Sequence, residues 1–229
     1  SSINGMIYMR GQAADFDGWA QAGCTGWGWD DVLPLYRAQE DFHKGASALH
    51  GAGGEWRVEQ ARVRWEVLDA FLEAAVQAGI PRSDDFNTGN NEGAGYFDVT
   101  QRRGIRWTTV KAFLRPALGR SNLRVLTGAQ AERLILEGGD ARGVVVRHEG
   151  ISKSFAASRE VVLAAGAIGT PHLLELSGIG RGAVLAANGI APVVEVPGVG
   201  ENLQDHLQLR LVFKVRGVKT LNTMANSLW

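Results

Sequence analysis

The stretch with the clearest capacity for chemistry is residues 161–180. An unbroken apolar run, Val161–Ala165, leads into Gly166-Ala167-Ile168-Gly169-Thr170-Pro171 and then into His172–Leu176, followed by Ser177-Gly178-Ile179-Gly180. The run predicts a buried strand of the parallel type. Thr170 as N-cap and Pro171 at the first helical position predict a helix over His172–Leu176. Small residues at such a junction let a ligand lie against the backbone, and a helix N-terminus offers unpaired amides with partial positive charge. That combination suits a pyrophosphate or an electron-rich ring edge. Tight packing explains glycines at a turn as well, so the pattern alone leaves both readings open.

Other reactive side chains read more plainly as structural. Trp19, Trp27, Trp29, Trp56, Trp65 and Trp107 are expected as core or interface fillers. His50, beside a Gly loop, is expected as a loop hydrogen bonder. His43, His148 and His172 are expected to be solvent-facing or structural. His206 after Asp205 invites a dyad reading. No His/Cys group has metal-ligand spacing, so no metal site is expected. No Gly-x-Ser-x-Gly elbow is present, which argues against acyl hydrolysis.

The elements that would position these residues follow from the pattern of the chain. Asp30 and Asp31 ahead of Val32, Leu33, Leu35 and Tyr36 predict a short helix with an acidic first turn. Val67, Leu68, Phe71, Leu72, Ala75 and Val76 predict an amphipathic helix over 65–78, stopped by Gly79 and Pro81. Residues 43–56 read as a Gly-rich loop, 82–106 as a long polar loop and 108–118 as a further helix. Leu123–Leu126, Ala131–Glu137, Gly143–His148 and Ser152–Ala156 read as strands. The last three form a small antiparallel meander with a hairpin turn at Gly138-Gly139-Asp140.

Composition bounds the class. The 229 residues carry formal net charge +0, with 45% hydrophobic and 21% charged residues. That is enough apolar material for a real core. Balanced charge argues against a nucleic-acid partner. The single cysteine, Cys24, excludes an internal disulfide framework. No apolar run approaches the ~18 residues needed to cross a bilayer, and membrane association is left open. Gly is abundant, at 30 residues.

The 166–180 stretch closely resembles the second signature of the glucose–methanol–choline (GMC) oxidoreductases. Ser1-Ser2-Ile3-Asn4-Gly5-Met6-Ile7 is similar to the latter part of the first signature. Trp29–Tyr36, His50–Gly54, Asp84–Asn87 and Pro197–His206 also resemble the family, so the likeness runs from end to end. Within the family the chain looks most like the choline dehydrogenase and aliphatic alcohol dehydrogenase branch.

The resemblance implies an α/β fold with mixed α+β character. Its core would be an FAD/NAD(P)-binding Rossmann-like domain lacking its first βαβ unit, with an antiparallel β-meander and part of a substrate domain. The implied boundaries are 1–30 and 107–205 for the FAD-binding domain, 31–106 for a lid or substrate-side insertion, and 206–229 for the start of the substrate domain. Both ends are expected to lie inside a longer protein.

The implied cofactor is FAD. Ser1 and Ser2 would share its turn, and Asn4, Gly5, Met6 and Ile7 would pass along the isoalloxazine ring and pyrophosphate. Ala131 would meet the adenine through its backbone, and Ala165 and Gly166 would lie close to the cofactor. Ile3 stands where some relatives attach FAD through a His, and an isoleucine has no nucleophilic atom, so the flavin is expected to be non-covalent. No catalytic residue is expected here, because the family's base, a His, would lie beyond residue 229. That placement also weighs against a dyad at His206.

The implied reaction is hydride transfer from a primary alcohol, choline-like or aliphatic, to flavin N5, leaving an aldehyde. Electrons would pass to a quinone-type or dye acceptor, or to oxygen. A cytoplasmic or membrane-associated bacterial setting is expected. Two other readings remain open: a family member that holds FAD without net oxidation, as hydroxynitrile lyases do, and a non-catalytic FAD-scaffold module.

Overall fold

A computed structural model describes residues 4–225. Ser1, Ser2 and Ile3 lie outside the described residues. The chain divides into two compact units: the described parts of Ser1–Leu123 and Phe213–Trp229 form unit 1, and Arg124–Val212 forms unit 2.

Unit 1 begins with α1 (Ala13–Gln21) and α2 (Trp29–Gln39). Side chains close both helix starts: Asp15 Oδ2 accepts the Gln12 amide at 2.7 Å and Asp31 Oδ2 accepts the Gly28 amide at 3.1 Å. Phe16 packs edge-on against Trp19 and near Trp29, so this end of the unit is an aromatic cluster. Trp19 and Trp27 meet edge to face but keep about half of their surface in solvent.

α2 runs directly into β1 (Glu40–Phe42), which pairs in parallel with β2 (Trp56–Gln60). The loop between them must fold back tightly over the end of α2. A Cβ on Gly51 would collide with the Arg37 carbonyl, and one on Gly54 with the Gln39 carbonyl group.

The amphipathic helix is found as α3 (Glu66–Gln77). It ends where Gly79 enters the left-handed region at φ 89° and the Ile80 amide returns to the Ala75 carbonyl. The long polar loop at 82–106 contains ladder pairs that its polarity hides. β3 (Asp98–Val99) joins β2 antiparallel, and β4 (Gln101–Arg102) forms a hairpin with β5 (Ile105–Arg106). The helix expected at 108–118 is a π-helical turn, Val110–Leu114, continuing into α4 (Arg115–Ala117).

Unit 2 holds the meander as expected: β6 (Ala129–Glu137), β7 (Asp140–His148) and β8 (Ile151–Ala156), in that sheet order. Gly138 and Gly139 supply the two positive φ angles, 59° and 91°, of a two-residue hairpin turn. α5 (Gly166–Leu176) packs on β6. Ser177 fastens the two, because its Oγ accepts the Leu134 amide at 2.8 Å and donates to the Leu173 carbonyl at 2.6 Å. β9 (Ile179–Gly180), α6 (Gly182–Ala187) and β10 (Val194–Glu195) complete the unit, with β9 and β10 parallel. α7 (Leu221–Ala225) belongs to unit 1.

Two expected strands are absent. Leu123–Leu126 and Val161–Ala165 form no ladder among the described residues. The second is not buried either, with Val162 77% exposed. A parallel strand takes both its ladder and its cover from neighbours distant in sequence, and no described strand lies beside either segment. The start of α5 also differs from expectation. The helix begins at Gly166, with Ala165 as N-cap, and contains Pro171 as its sixth residue. Thr170 caps nothing at its own position; its Oγ1 instead accepts the Ala165 amide at 3.1 Å.

Steric demand at Gly51 gives a direct check. Gly51→Ala is expected to cost about 2 kcal/mol or more through overpacking, read as a lower urea midpoint. Gly119→Ala, where a Cβ meets open space, is expected to leave the midpoint unchanged.

Candidate cofactor-contacting site

The site residues read from the sequence fall in both units. In unit 1, Asn4–Ile7 form an exposed strip laid against residues 98–100. Asn4 Oδ1 accepts the Met6 amide at 2.9 Å, which makes an Asx turn. The turn drives Met6 to φ 63°, uncommon for a side chain of this kind. The Thr100 amide donates to the Met6 carbonyl at 2.8 Å, Ile7 forms an antiparallel bridge with Val99, and the Tyr8 amide donates to the Asp98 carbonyl at 2.8 Å. Gly5 stands at the crest of the turn, where an added Cβ would touch only the Ile7 side chain, at 4.0 Å.

Arg106, at the end of β5, was not singled out by sequence reasoning. Its Nη1 donates to the Asn4 carbonyl at 2.8 Å and to Asn4 Oδ1 at 3.0 Å. It therefore locks the turn from outside and places a cation beside it. No spacing signal marks it, since it sits in a polar stretch with Arg102 and Arg103 nearby in sequence.

The strip continues inward. Tyr8 is half-buried with its hydroxyl out of solvent, and burial first, then the charge of Glu40, raises its phenol well above the ordinary tyrosine range; Arg10 offsets this only in part. The phenol thus stays protonated.

In unit 2, Ala131, Ala165 and Gly166 are found on the two elements that Ser177 joins. Ala131 lies on β6, the free edge of the meander, next to a ladder irregularity between Ala131 and Arg133. Its carbonyl accepts Gln130 Nε2 at 3.2 Å. Ala165 and Gly166 form the mouth of α5. Gly166 adopts φ 88° with no heavy atom within 4 Å of a would-be Cβ. Gly169 is needed for packing, since a Cβ there would come within 3.1 Å of Ala165 Cβ. The first amides of a helix lack intrahelical partners, and here the mouth is flanked by Ile168, 74% exposed. An open, small-residue mouth with free amides and an apolar lip can receive a ligand that is anionic at one part and flat and apolar at another.

The histidines sort as structural where they are buried. His43 Nε2 lies 3.0 Å from Asp98 Oδ1, and His50 lies between two carboxylates. His206 is exposed, and Asp205 accepts its backbone amide rather than its ring, so no dyad is formed. Among the described residues no His/Cys/Asp/Glu group could hold a metal ion, and no helix is long and apolar enough to cross a membrane.

Comparison with known proteins places these features in a lineage. The family model described as GMC oxidoreductase matches residues 1–208. An oxygen-dependent choline dehydrogenase of Sinorhizobium fredii (strain NBRC 101917 / NGR234) is 42% identical over 208 residues, 91% of this chain and 38% of that protein. One from Brucella ovis (strain ATCC 25840 / 63/290 / NCTC 10512) is 43% identical over 209 residues, with the same coverage. Among solved structures, pyridoxine 4-oxidase from Mesorbium loti is similar with TM-score 0.83 and 38% identity, covering 89% of this chain and 40% of that one. An FAD-dependent oxidoreductase from Chaetomium thermophilum is similar with TM-score 0.82 and 28% identity, covering 89% and 38%. The chain thus spans about 38% of the length of the curated relatives it matches.

The Arg106 clamp is open to measurement. Arg106→Leu removes both donors to Asn4, and a lost hydrogen bond of about 1 kcal/mol corresponds to roughly fivefold faster local opening. Amide exchange at Met6 is expected to speed up by about that factor while exchange in α3 stays unchanged.

Proposed function

This chain belongs to the GMC oxidoreductase family, and on that premise we propose that it builds the cofactor-holding wall of an FAD-dependent oxidoreductase acting on a CH–OH donor. The finer reading is oxidation of a choline-like or aliphatic primary alcohol to its aldehyde. The names and identities of the choline dehydrogenase relatives favour it. The observation that carries the cofactor assignment is the mouth of α5, where an open left-handed glycine, free helix amides and exposed apolar side chains meet. These residues fit a dinucleotide whose pyrophosphate needs amide donors and whose ring system needs an apolar, closely approachable backbone.

When bound, the flavin supplies the hydride acceptor. The residues of this chain bind and orient it. Within unit 2, the Ala131 backbone would meet the adenine and Ala165 and Gly166 would lie close to the cofactor; within unit 1, the Asn4–Ile7 strip, its turn fixed by Arg106, would pass along the ring and pyrophosphate. Ile3 offers no nucleophile, so attachment is non-covalent. His43 and His50 are committed to carboxylates, so neither takes the hydroxyl proton. The family resemblance would give that role to a His that this chain does not carry. Oxygen, or a quinone-type or dye acceptor, would take up the electrons released from the alcohol.

The test is a panel of primary alcohols, choline included, offered to the flavin-loaded full-length enzyme that contains this chain, with dye and with oxygen. Aldehyde formation accompanied by flavin bleaching is expected. A flavin-replete protein that bleaches with no primary alcohol would sink the reading. Gly166→Val places a branched side chain at φ 88°, a conformation costing it about 1–2 kcal/mol, and closes the open face. FAD is expected to bind at least about tenfold more weakly, read by titration of released flavin.

A further inference from the structure

A buried charged cluster in unit 1 lies outside the proposed cofactor wall but is wired to it. Glu40 is 0% exposed and His50 3%. Both Glu40 carboxylate oxygens lie 3.1 Å from His50 Nδ1, and Oε2 also accepts the Gly51 amide at 2.8 Å. The other ring nitrogen, Nε2, lies 2.9 Å from Asp85 Oδ2. The ring stacks on Phe42 with centroids 3.8 Å apart.

The wiring continues through Asp85. Its Oδ1 accepts the Asn87 amide at 2.8 Å. The Asn87 side chain accepts the Arg10 amide at 2.8 Å and donates to the Tyr8 carbonyl at 3.1 Å. The Arg10 guanidinium then donates to the Asn87 carbonyl at 3.3 Å and to the Leu49 carbonyl at 2.7 Å, beside His50. The path is a closed circuit from β1 to the backbone that follows the Asn4–Ile7 strip.

Hydrogen-bond logic sets the state of the ring in this circuit. An ionised carboxylate only accepts, and a neutral imidazole donates from one nitrogen only. Two carboxylates on the two nitrogens are therefore both satisfied when both nitrogens carry protons. Such clusters add little net stability over apolar packing of the same volume, while removing one member is strongly destabilising. What this one fixes is geometry.

We infer that His50 is a positioning residue: acting through Asp85 and Asn87, it sets the backbone of Tyr8 and Arg10 and thereby the pose of the Asn4–Ile7 turn. The contribution to flavin geometry rests on the function proposed above; the ordering of residues 8–10 does not.

The experiment compares the flavin-loaded protein with His50→Ala, with and without added imidazole, and with Asn87→Ser, which breaks the link one step away and leaves the carboxylate–imidazole cluster in place. Two readouts are taken: site-resolved amide exchange and the visible circular dichroism of the flavin. In both variants exchange at Arg10 is expected to rise at least tenfold more than exchange in α3, while exchange in β6–β8 stays at the wild-type rate. The flavin dichroism is expected to change, and imidazole is expected to restore both signals in His50→Ala. Unchanged exchange at Arg10 overturns the inference. So does a uniform rise across unit 1 that imidazole fails to reverse, since that marks plain destabilisation. If the wild-type protein takes up no flavin, the functional reading fails and the exchange arm still decides the inference. If His50→Ala does not fold, His50→Gln carries the same exchange outcomes.

Discussion

Unit 1 is organised around a carboxylate that has no water. Glu40 sits at the junction of α2 and β1 with its side chain wholly buried, and an isolated charge there would cost several kcal/mol. The chain answers by folding the loop after β1 back over it. That return brings the His50 ring and the Gly51 amide onto the carboxylate. The loop can come so close only because Gly51 and Gly54 carry no side chain against the 37–40 backbone. The same ring then needs a second acceptor, which draws in Asp85 and with it the 84–87 turn. One unsatisfied charge therefore dictates the path of three segments far apart in sequence.

Unit 2 solves a different problem with neutral groups. The meander needs a helix on one face, and Ser177 joins the two by one hydroxyl that both accepts and donates. The amide it takes up, that of Leu134, follows the ladder irregularity between Ala131 and Arg133. A bulge frees backbone groups and re-aims the strand, and the serine takes up one that would otherwise be buried unpaired. The irregularity and the helix mouth are thus coupled through a few bonds. That is a means of holding the Ala131 edge and the Gly166 mouth in fixed relation within one unit.

Much of the local structure was legible. α3 showed its apolar stripe and its Gly79 stop. The β6–β7 hairpin showed its glycine pair, because a two-residue turn has few permitted backbones. The residues at the α5 mouth were legible as a glycine-rich junction, although the helix starts at Gly166 and not at Pro171. The failures share one cause: they depend on partners remote in sequence. The apolar runs at 123–126 and 161–165 have strand composition, but a ladder is made by neighbours, and none of the described strands lies beside them. The polar stretch 82–106 hides β3, β4 and β5 because short pairs carry too few residues to show a period. His50 was legible as a loop hydrogen bonder, yet its burial between two acids came from Glu40 and Asp85, ten residues before it and thirty-five after. Arg106 left no trace, since its meaning lies wholly in Asn4, 102 residues away.

The residues proposed to meet the cofactor are Ser, Asn, Gly, Met, Ile and Ala, and none brings an acid or a base. That is consistent with a wall whose work is done by backbone amides and close approach. A proton acceptor needs a side chain free to change its protonation. The two histidines of unit 1 are held on carboxylates, and the Tyr8 phenol is held protonated by burial and by Glu40. Titratable groups are thus spent on fixing the frame, and the frame presents an unreactive, small-residue surface. In a flavoenzyme this separation has a physical advantage. Hydride transfer tolerates little error in distance, so the wall gains from rigidity, whereas the substrate pocket and its base must accommodate binding and release. The chain is similar both to an oxygen-dependent choline dehydrogenase, at 42% identity, and to a pyridoxine 4-oxidase, at TM-score 0.83, relatives named for different substrates, and a rigid frame proposed to hold the cofactor is compatible with that variety.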